Sequence, residues 1–274
     1  MKLFSLVSPT LTAQVTTLST TRSPNNVASF LAGDSTTASD GGWGNGFLTT
    51  ITDCSFGINY GKIGATTVSY RAEGVWNTVL ASVEKATGLG YSPFVTIQFG
   101  HNDQKAESNI SIELFTANLE VFATEVIAAG GTPVLTTPLT RRSFYLAKVI
   151  ENLAQHANAT INVAKRLGVP YIDLNRASTD YINDIGTSFA DTYNLTPNDR
   201  THLNPNGEIL FGTLGAVKQH TYPSRPATKD KELDSTFVMD ILSNSALGSR
   251  RSCKCFQLYH TNQSAVGVPV EGSV

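Results

Sequence analysis

Phe94-Val95-Thr96-Ile97-Gln98-Phe99-Gly100 is rich in β-branched and aromatic residues and stops at a glycine, the pattern of a short buried strand. Segments with helical spacing flank it. Val75 to Ala86 places apolar residues at Val75, Val79 and Val83, and Ile112 to Ala129 repeats Leu114, Phe115, Leu119, Phe122 and Val126. The alternation continues outward in both directions. Ala28 to Ala32 ending at Gly33, Phe56 to Asn59, Pro133-Val134-Leu135-Thr136 and Tyr171-Ile172-Asp173-Leu174 complete a predicted set of five strands. Tyr145 to Leu167 reads as the longest helix, stopped by Gly168-Val169-Pro170. Gly207 to Val217 reads as a further helix behind Pro205, which suits a first helical turn. Strands alternating with helices predict an α/β fold with a parallel sheet covered on both faces.

The pattern holds from about residue 27 to 222. Residues 1–26 are rich in Thr and Ser, end in Pro24-Asn25-Asn26 and read as a leader or disordered arm. Lys2 precedes the apolar run Leu3 to Val7, but Ser8 and Pro9 cut that run short of a normal signal-peptide core. Beyond Tyr222, Pro223, Pro226 and the run Lys229 to Glu232 end the periodicity, so 223–274 is expected to be a poorly structured tail.

Composition narrows the function classes. The net charge of -2 gives no electrostatic footprint for nucleic acid or for an anionic membrane surface. No run approaches the length of a membrane-spanning helix. Charged residues make up 15%, thinly scattered among Ser, Thr and Asn, a profile that leans towards a secreted, extracellular protein. Asn109, Asn158, Asn194 and Asn262 lie in glycosylation sequons, about as many as such a composition supplies by chance. Cys54 stands alone and Cys253 and Cys255 sit together in the tail, which leaves pairing open; no Cys/His cluster has zinc-ligand spacing.

The chemistry resides in four short blocks. Gly33-Asp34-Ser35 follows a predicted strand, placing a serine hydroxyl and its backbone N–H at a carboxyl end of the sheet, where open α/β folds bind ligands. Read alone, it is equally a helix N-cap. Asn59 to Gly64 follows the second strand, and a glycine at 64 lets its N–H approach a ligand closely. Gly100-His101-Asn102-Asp103 follows the third, with the Asn102 amide a candidate oxyanion donor or an ordinary strand-ending turn. Asp199-Arg200-Thr201-His202 puts a carboxylate and an imidazole three residues apart, on one side of a tight turn. His202 would deprotonate Ser35 while Asp199 orients it, the Ser-His-Asp logic. His101 is expected near the site, and His156, His220 and His260 are read as structural or exposed. No G-x-S-x-G elbow occurs. Gly57 to Lys62 is one residue short of a phosphate loop, with Ile63 where Ser or Thr is needed.

With its blocks in this order, the chain resembles the SGNH/GDSL hydrolase family, most closely its fungal rhamnogalacturonan acetylesterases. The resemblance covers roughly 28 to 219 and is carried by Phe30 to Ala38, Asn59 to Gly64, Phe99 to Asp103 and Asp199 to His202. Gly42-Trp43-Gly44-Asn45 and Ser69 to Gly74 add to it. It implies a three-layer α/β/α sandwich around a five-stranded parallel sheet of flavodoxin-like order. It also implies Ser35 as nucleophile, His202 as base, Asp199 as its orienter, and an oxyanion hole from the N–H groups of Ser35 and Gly64 with the side chain of Asn102. No metal or organic cofactor is implied. Ala65 stands where those acetylesterases carry an arginine, and Arg71-Ala72 shifts the basic residue of the next segment, which bears on recognition of an acidic sugar.

The expected function is a monomeric serine esterase that removes acetyl groups from a plant cell-wall polysaccharide, rhamnogalacturonan. Its partner is an acetylated polysaccharide or small ester, with neither nucleic acid nor membrane. Acetylxylan or general short-chain esterase activity is the alternative within enzymes. A non-catalytic carbohydrate-binding protein is the alternative outside them.

Overall fold

The computed structural model describes residues 26–51 and 55–220, with side chains through 216. The proposed arm (apart from Asn26), Cys54 and the 223–274 tail lie outside the described residues. In chain order the elements are β1 (Val27–Gly33), α1 (Gly44–Leu48), β2 (Phe56–Asn59), α2 (Thr67–Ala72), α3 (Val75–Gly88), β3 (Ser92–Gln98), α4 (Ile112–Ala128), β4 (Thr132–Thr136), a hairpin of β5 (Phe144–Tyr145) and β6 (Lys148–Val149), α5 (Ala154–Leu167), β7 (Tyr171–Ile172), α6 (Leu174–Ala190) and α7 (Pro205–His220).

The five long-range strands form one parallel sheet in the order β2-β1-β3-β4-β7, as the sequence and its resemblance led us to expect. β1 pairs along its whole length with β3, from Val27 opposite Ser92 to Gly33 opposite Gln98. The loops after β1, β2 and β3 therefore open at one edge.

Alternation along β1 divides the core between the two faces of the sheet. Ala28, Phe30 and Ala32 face one layer with Trp76, Val79 and Val83 of α3, Phe115, Leu119 and Phe122 of α4 and Val163 of α5. Leu31 faces the other, with Phe47 of α1, Leu174 and Ile182 of α6 and Phe211 of α7. Each of these large side chains is essentially fully buried, and burial of each contributes about 1.5–3 kcal/mol. Caps fix where several helices start. Ser111 accepts the Leu114 N–H (3.2 Å) ahead of α4, and Thr66 and Ser69 form a reciprocal capping box on α2.

Two expectations need correction. The long helix predicted from Tyr145 begins only at Ala154, and Phe144 to Val149 is a hairpin instead. Its turn residues Leu146 and Ala147 take φ of +47° and +59°, a primed turn that normally calls for Asn or Gly. Leu174, predicted to end the last strand, opens α6, where the Asp173 carboxylate accepts the Arg176 N–H at 3.2 Å. α2 and α6 were not predicted from the sequence, and Gly186 (φ +74°) interrupts α6 near its end.

Candidate active site

Ser35, Gly64 and Asn102 follow β1, β2 and β3 at one end of the sheet, and Asp199 and His202 come from the loop that precedes α7. β1 ends at Gly33, and Ser35 sits on a tight turn closed by the Thr37 N–H to Asp34 O bond of 3.0 Å. A Cβ at position 33 would lie 2.3 Å from the Thr37 hydroxyl and 2.6 Å from Gln98 O, so glycine is required for the turn to pass this close to β3. Asp34 turns inward beneath the serine. Its Oδ1 accepts the Thr36 N–H (2.8 Å) and hydroxyl (2.7 Å), and its Oδ2 lies 3.7 Å from His101 Nδ1. Burial pushes the Asp34 carboxyl up, but His101 and the Thr36 donors outweigh it and hold the group below the usual range. Asp34 is thus a buried anchor for the turn. Gln98 Oε1, at the end of β3, accepts from Trp43 Nε1 (2.8 Å) and from the Thr37 hydroxyl (3.1 Å), tying the same turn to its neighbours.

The fourth block closes on Ser35. His202 Nε2 lies 2.9 Å from Ser35 Oγ, and His202 Nδ1 lies 2.9 Å from Asp199 Oδ2. Asp199 Oδ1 accepts the backbone N–H groups of Thr201 (3.1 Å) and His202 (3.0 Å). Burial raises the Asp199 carboxyl, and the His202 and Thr201 donors reverse this, leaving it below its ordinary value. The arrangement sets Nδ1–H towards Asp199 and leaves Nε2 as an acceptor facing the serine hydroxyl.

Asn102, nearly buried, donates from Nδ2 to Ala65 O at 3.0 Å, which brings the third block beside the second and leaves one amide hydrogen free. Gly64 has φ of +76°, and a Cβ built there would meet nothing within 4 Å, so its backbone faces open space. Among the described residues neither the Ser35 N–H nor the Gly64 N–H has a hydrogen-bond partner. The Ser35 and Gly64 N–H groups and the second Asn102 amide hydrogen have the composition expected of an oxyanion hole. Replacing Asn102 with alanine should lower kcat on 4-nitrophenyl acetate by about 10²–10³-fold with little change in KM, and a loss under about tenfold would remove it from that role.

Several residues play parts the sequence did not reveal. His101, expected to line the site, is 2% exposed and lies under the nucleophile turn. Asp103 accepts the Thr67 N–H (2.9 Å) and hydroxyl (2.6 Å), so it fastens α2; burial raises its carboxyl despite these bonds. Arg71 pairs with Glu125 and lies over the Phe122 ring at 5.0 Å, and Ala65 is buried, so neither puts a cation in the cleft. Arg142 is the largest omission. It is fully buried; its backbone N–H donates to Arg200 O (2.9 Å), and its guanidinium to Asn194 Oδ1 (2.7 Å), Asp199 O (3.2 Å) and His202 O (2.5 Å). Burial pushes its pKa down to about 10, opposed by Asp199 and Asp191, which leaves it charged at neutral pH. It holds the Asp199–His202 turn from behind. Asn194, one of the sequon asparagines, is thereby engaged in the interior.

Among the described residues no group of His, Cys, Asp and Glu is placed to hold a metal ion, and no helix is long and apolar enough to cross a membrane. A family model for GDSL-like lipases and acylhydrolases matches residues 31–208, which spans the nucleophile turn, the oxyanion donors and the Asp199–His202 turn. The chain belongs to the GDSL-like lipase/acylhydrolase family. Rhamnogalacturonan acetylesterase RhgT of Bacillus subtilis (strain 168) is 35% identical over 153 residues, which are 53% of this chain and 63% of that protein. The chain thus spans less than two thirds of that relative's length. Among solved structures, a Bacillus subtilis protein superposes with a TM-score of 0.62 at 22% identity, over 72% of this chain and 57% of that one. A lipase/acylhydrolase from Enterococcus faecalis does so with a TM-score of 0.53 at 22% identity, over 73% and 99%. An acetyl-xylooligosaccharide esterase from Geobacillus stearothermophilus gives 0.52 at 16% identity, over 74% and 97%. At these identities the structures speak for the shared GDSL-family fold.

Proposed function

We propose that this GDSL-family protein is an extracellular serine esterase that removes acetyl groups from rhamnogalacturonan through an acetyl-enzyme intermediate. One observation carries the reaction type: the unbroken hydrogen-bonded line from Ser35 Oγ through the His202 ring to Asp199, at 2.9 Å for each link, beside unpaired N–H donors. Ser35 Oγ attacks the ester carbonyl carbon as its proton passes to His202 Nε2. The charge that develops on the carbonyl oxygen is met by the N–H groups of Ser35 and Gly64 and by Asn102 Nδ2. The sugar hydroxyl leaves with the proton from His202. Water, deprotonated by the same nitrogen, then attacks the acetyl carbon and frees Ser35. A carbohydrate-binding role needs none of this alignment.

The substrate rests on the 35% identity to RhgT, and the extracellular placement on the sparsely charged composition and the apolar run after Lys2. Acetate release from acetylated rhamnogalacturonan and from acetylated xylan, by wild type and by Ser35→Ala, tests the reading. Ser35-dependent release from the pectic polymer is the expected result. Release mainly from xylan keeps the mechanism and overturns the substrate, and no release from either by folded protein overturns both polysaccharide readings.

A further inference from the structure

Arg141 and Arg142 follow one another on the extended segment after β4, and they reach different partners. Arg142 is enclosed behind the Asp199–His202 turn, whereas Arg141 is half-buried at the surface between that turn and the loop after β3. The arginines Arg71, Arg166, Arg176 and Arg200 each face a carboxylate: Glu125, Glu120, Asp180 and Asp191. Among the described residues Arg141 is in hydrogen-bond contact with none. Its Nε lies 3.3 Å from Thr201 Oγ1, its Nη1 3.3 Å from Asn152 Oδ1 and its Nη2 3.4 Å from His101 O. The Gln104 amide, turned with its oxygen to the guanidinium, accepts from both terminal nitrogens and donates to Asn152 O. The carboxylate that attracts Arg141 from a distance, Asp34, is buried and already occupied by Thr36 and His101.

These contacts hold the planar fork in place and leave its charge unneutralised. The bonds to Thr201, Asn152 and His101, at 3.3–3.4 Å, are longer than the roughly 2.7–2.9 Å of a charge-assisted bond to a carboxylate, and with Gln104 they leave the fork facing neutral acceptors. The position matters as much as the charge. Thr201 adjoins His202, and His101 adjoins Asn102, so the guanidinium bridges the turn that carries the base and the loop that carries an oxyanion donor. An ester placed between Ser35 Oγ and Asn102 Nδ2 would bring its sugar moiety towards this rim.

We propose that Arg141 forms a subsite for the carboxylate of a uronate residue of the acetylated polymer. Its identity as galacturonate rests on the rhamnogalacturonan reading above; the uronate class rests on the unpaired guanidinium. Arg141 would then be a specificity-determining residue, selecting acidic over neutral acetylated polymers. High ionic strength should weaken that selection, because the subsite is only half shielded from solvent.

The test is inhibition of 4-nitrophenyl acetate hydrolysis by a deacetylated rhamnogalacturonan oligosaccharide and by the same oligosaccharide with its carboxyl groups reduced. The acidic oligosaccharide should inhibit wild type competitively. Arg141→Gln should raise its inhibition constant about tenfold to a hundredfold, the worth of one charged hydrogen-bonded pair, and by at least about tenfold more than it changes kcat/KM for the small ester. Arg141→Lys should restore part of the binding, since it keeps the charge and loses the fork. The reduced oligosaccharide should bind wild type and Arg141→Gln equally weakly. Equal inhibition of wild type and Arg141→Gln by the acidic form, equal inhibition of wild type by both oligosaccharides, or no inhibition by the acidic form overturns the subsite. A parallel loss on the small ester instead assigns Arg141 to holding the two loops. Acetate release by wild type from acetylated rhamnogalacturonan is measured beside it. Arg141-dependent inhibition without release keeps the subsite and rejects the substrate; release with Arg141-independent inhibition does the reverse.

Discussion

Ser35→Ala should lower kcat on 4-nitrophenyl acetate by about 10⁶-fold, the order seen when a serine hydrolase loses its nucleophile. The magnitude follows from the arrangement around one atom. Ser35 Oγ is 2.9 Å from His202 Nε2 on a turn that Asp34, Thr36, Thr37 and Gln98 hold from below, and no second hydroxyl of the described residues faces that nitrogen. Residual activity should remain about 10³–10⁴-fold above the uncatalysed rate, because the oxyanion donors are untouched. His202→Ala should fall about as far, and the double variant Ser35→Ala/His202→Ala no further, since nucleophile and base act as a unit. The check is kcat for all three, with thermal unfolding to establish that each is folded. A double variant far below either single one would mean that the two side chains act separately and would reject the shared mechanism.

How much of this could be read from the sequence depends on how local each feature is. β1 and β3 announce themselves by short runs dominated by apolar or β-branched residues and a closing glycine, because strands buried on both faces leave little polar alternation to blur them. The positions of Ser35, Asn102 and the Asp199–His202 pair were legible for a related reason. Each lies within a few residues of a strand end or turn, so chain order and chemistry alone place them at one edge of the sheet. The hairpin at Phe144–Val149 was not legible, since Leu146 and Ala147 favour a helix and only tertiary contacts, such as the Val149 N–H to Asn183 Oδ1 bond of 2.9 Å, hold them otherwise. Arg142 was invisible for the opposite reason. An Arg-Arg pair after a strand reads as a solvated surface, and its meaning comes from carbonyls about 60 residues downstream. His101 illustrates a further limit: the block that contains it was recognised, but its side chain turns inward to Asp34, on the turn after the neighbouring strand.

Asp199→Asn should reduce kcat by about 10⁴-fold while leaving the turn in place. The carboxylate has two duties on two oxygens. Oδ1 accepts the Thr201 and His202 backbone N–H groups, and Oδ2 faces His202 Nδ1. An asparagine has one oxygen for both. If its oxygen keeps the two backbone donors, its NH₂ group confronts Nδ1, and the imidazole must shift its proton to Nε2 to avoid a donor–donor clash. Nε2 then carries a hydrogen towards Ser35 Oγ and cannot take the serine proton. The opposite orientation would satisfy Nδ1 but aim the NH₂ group at two backbone donors, so the first arrangement prevails and the base is held in the wrong tautomer. Stability should report the same exchange. Because the Asp199 carboxyl lies below its ordinary value of 3.8 in the fold, its contribution is complete above that pH and fades as the pH falls through the lowered value. The stability advantage of wild type over Asp199→Asn should therefore be full at neutral pH and shrink in acid below about pH 4. Denaturant unfolding at several pH values measures this difference, and kcat at neutral pH measures the tautomer effect. A variant within about tenfold of wild-type kcat, or a stability gap that widens in acid, would show that Asp199 neither orients His202 nor binds it as a carboxylate.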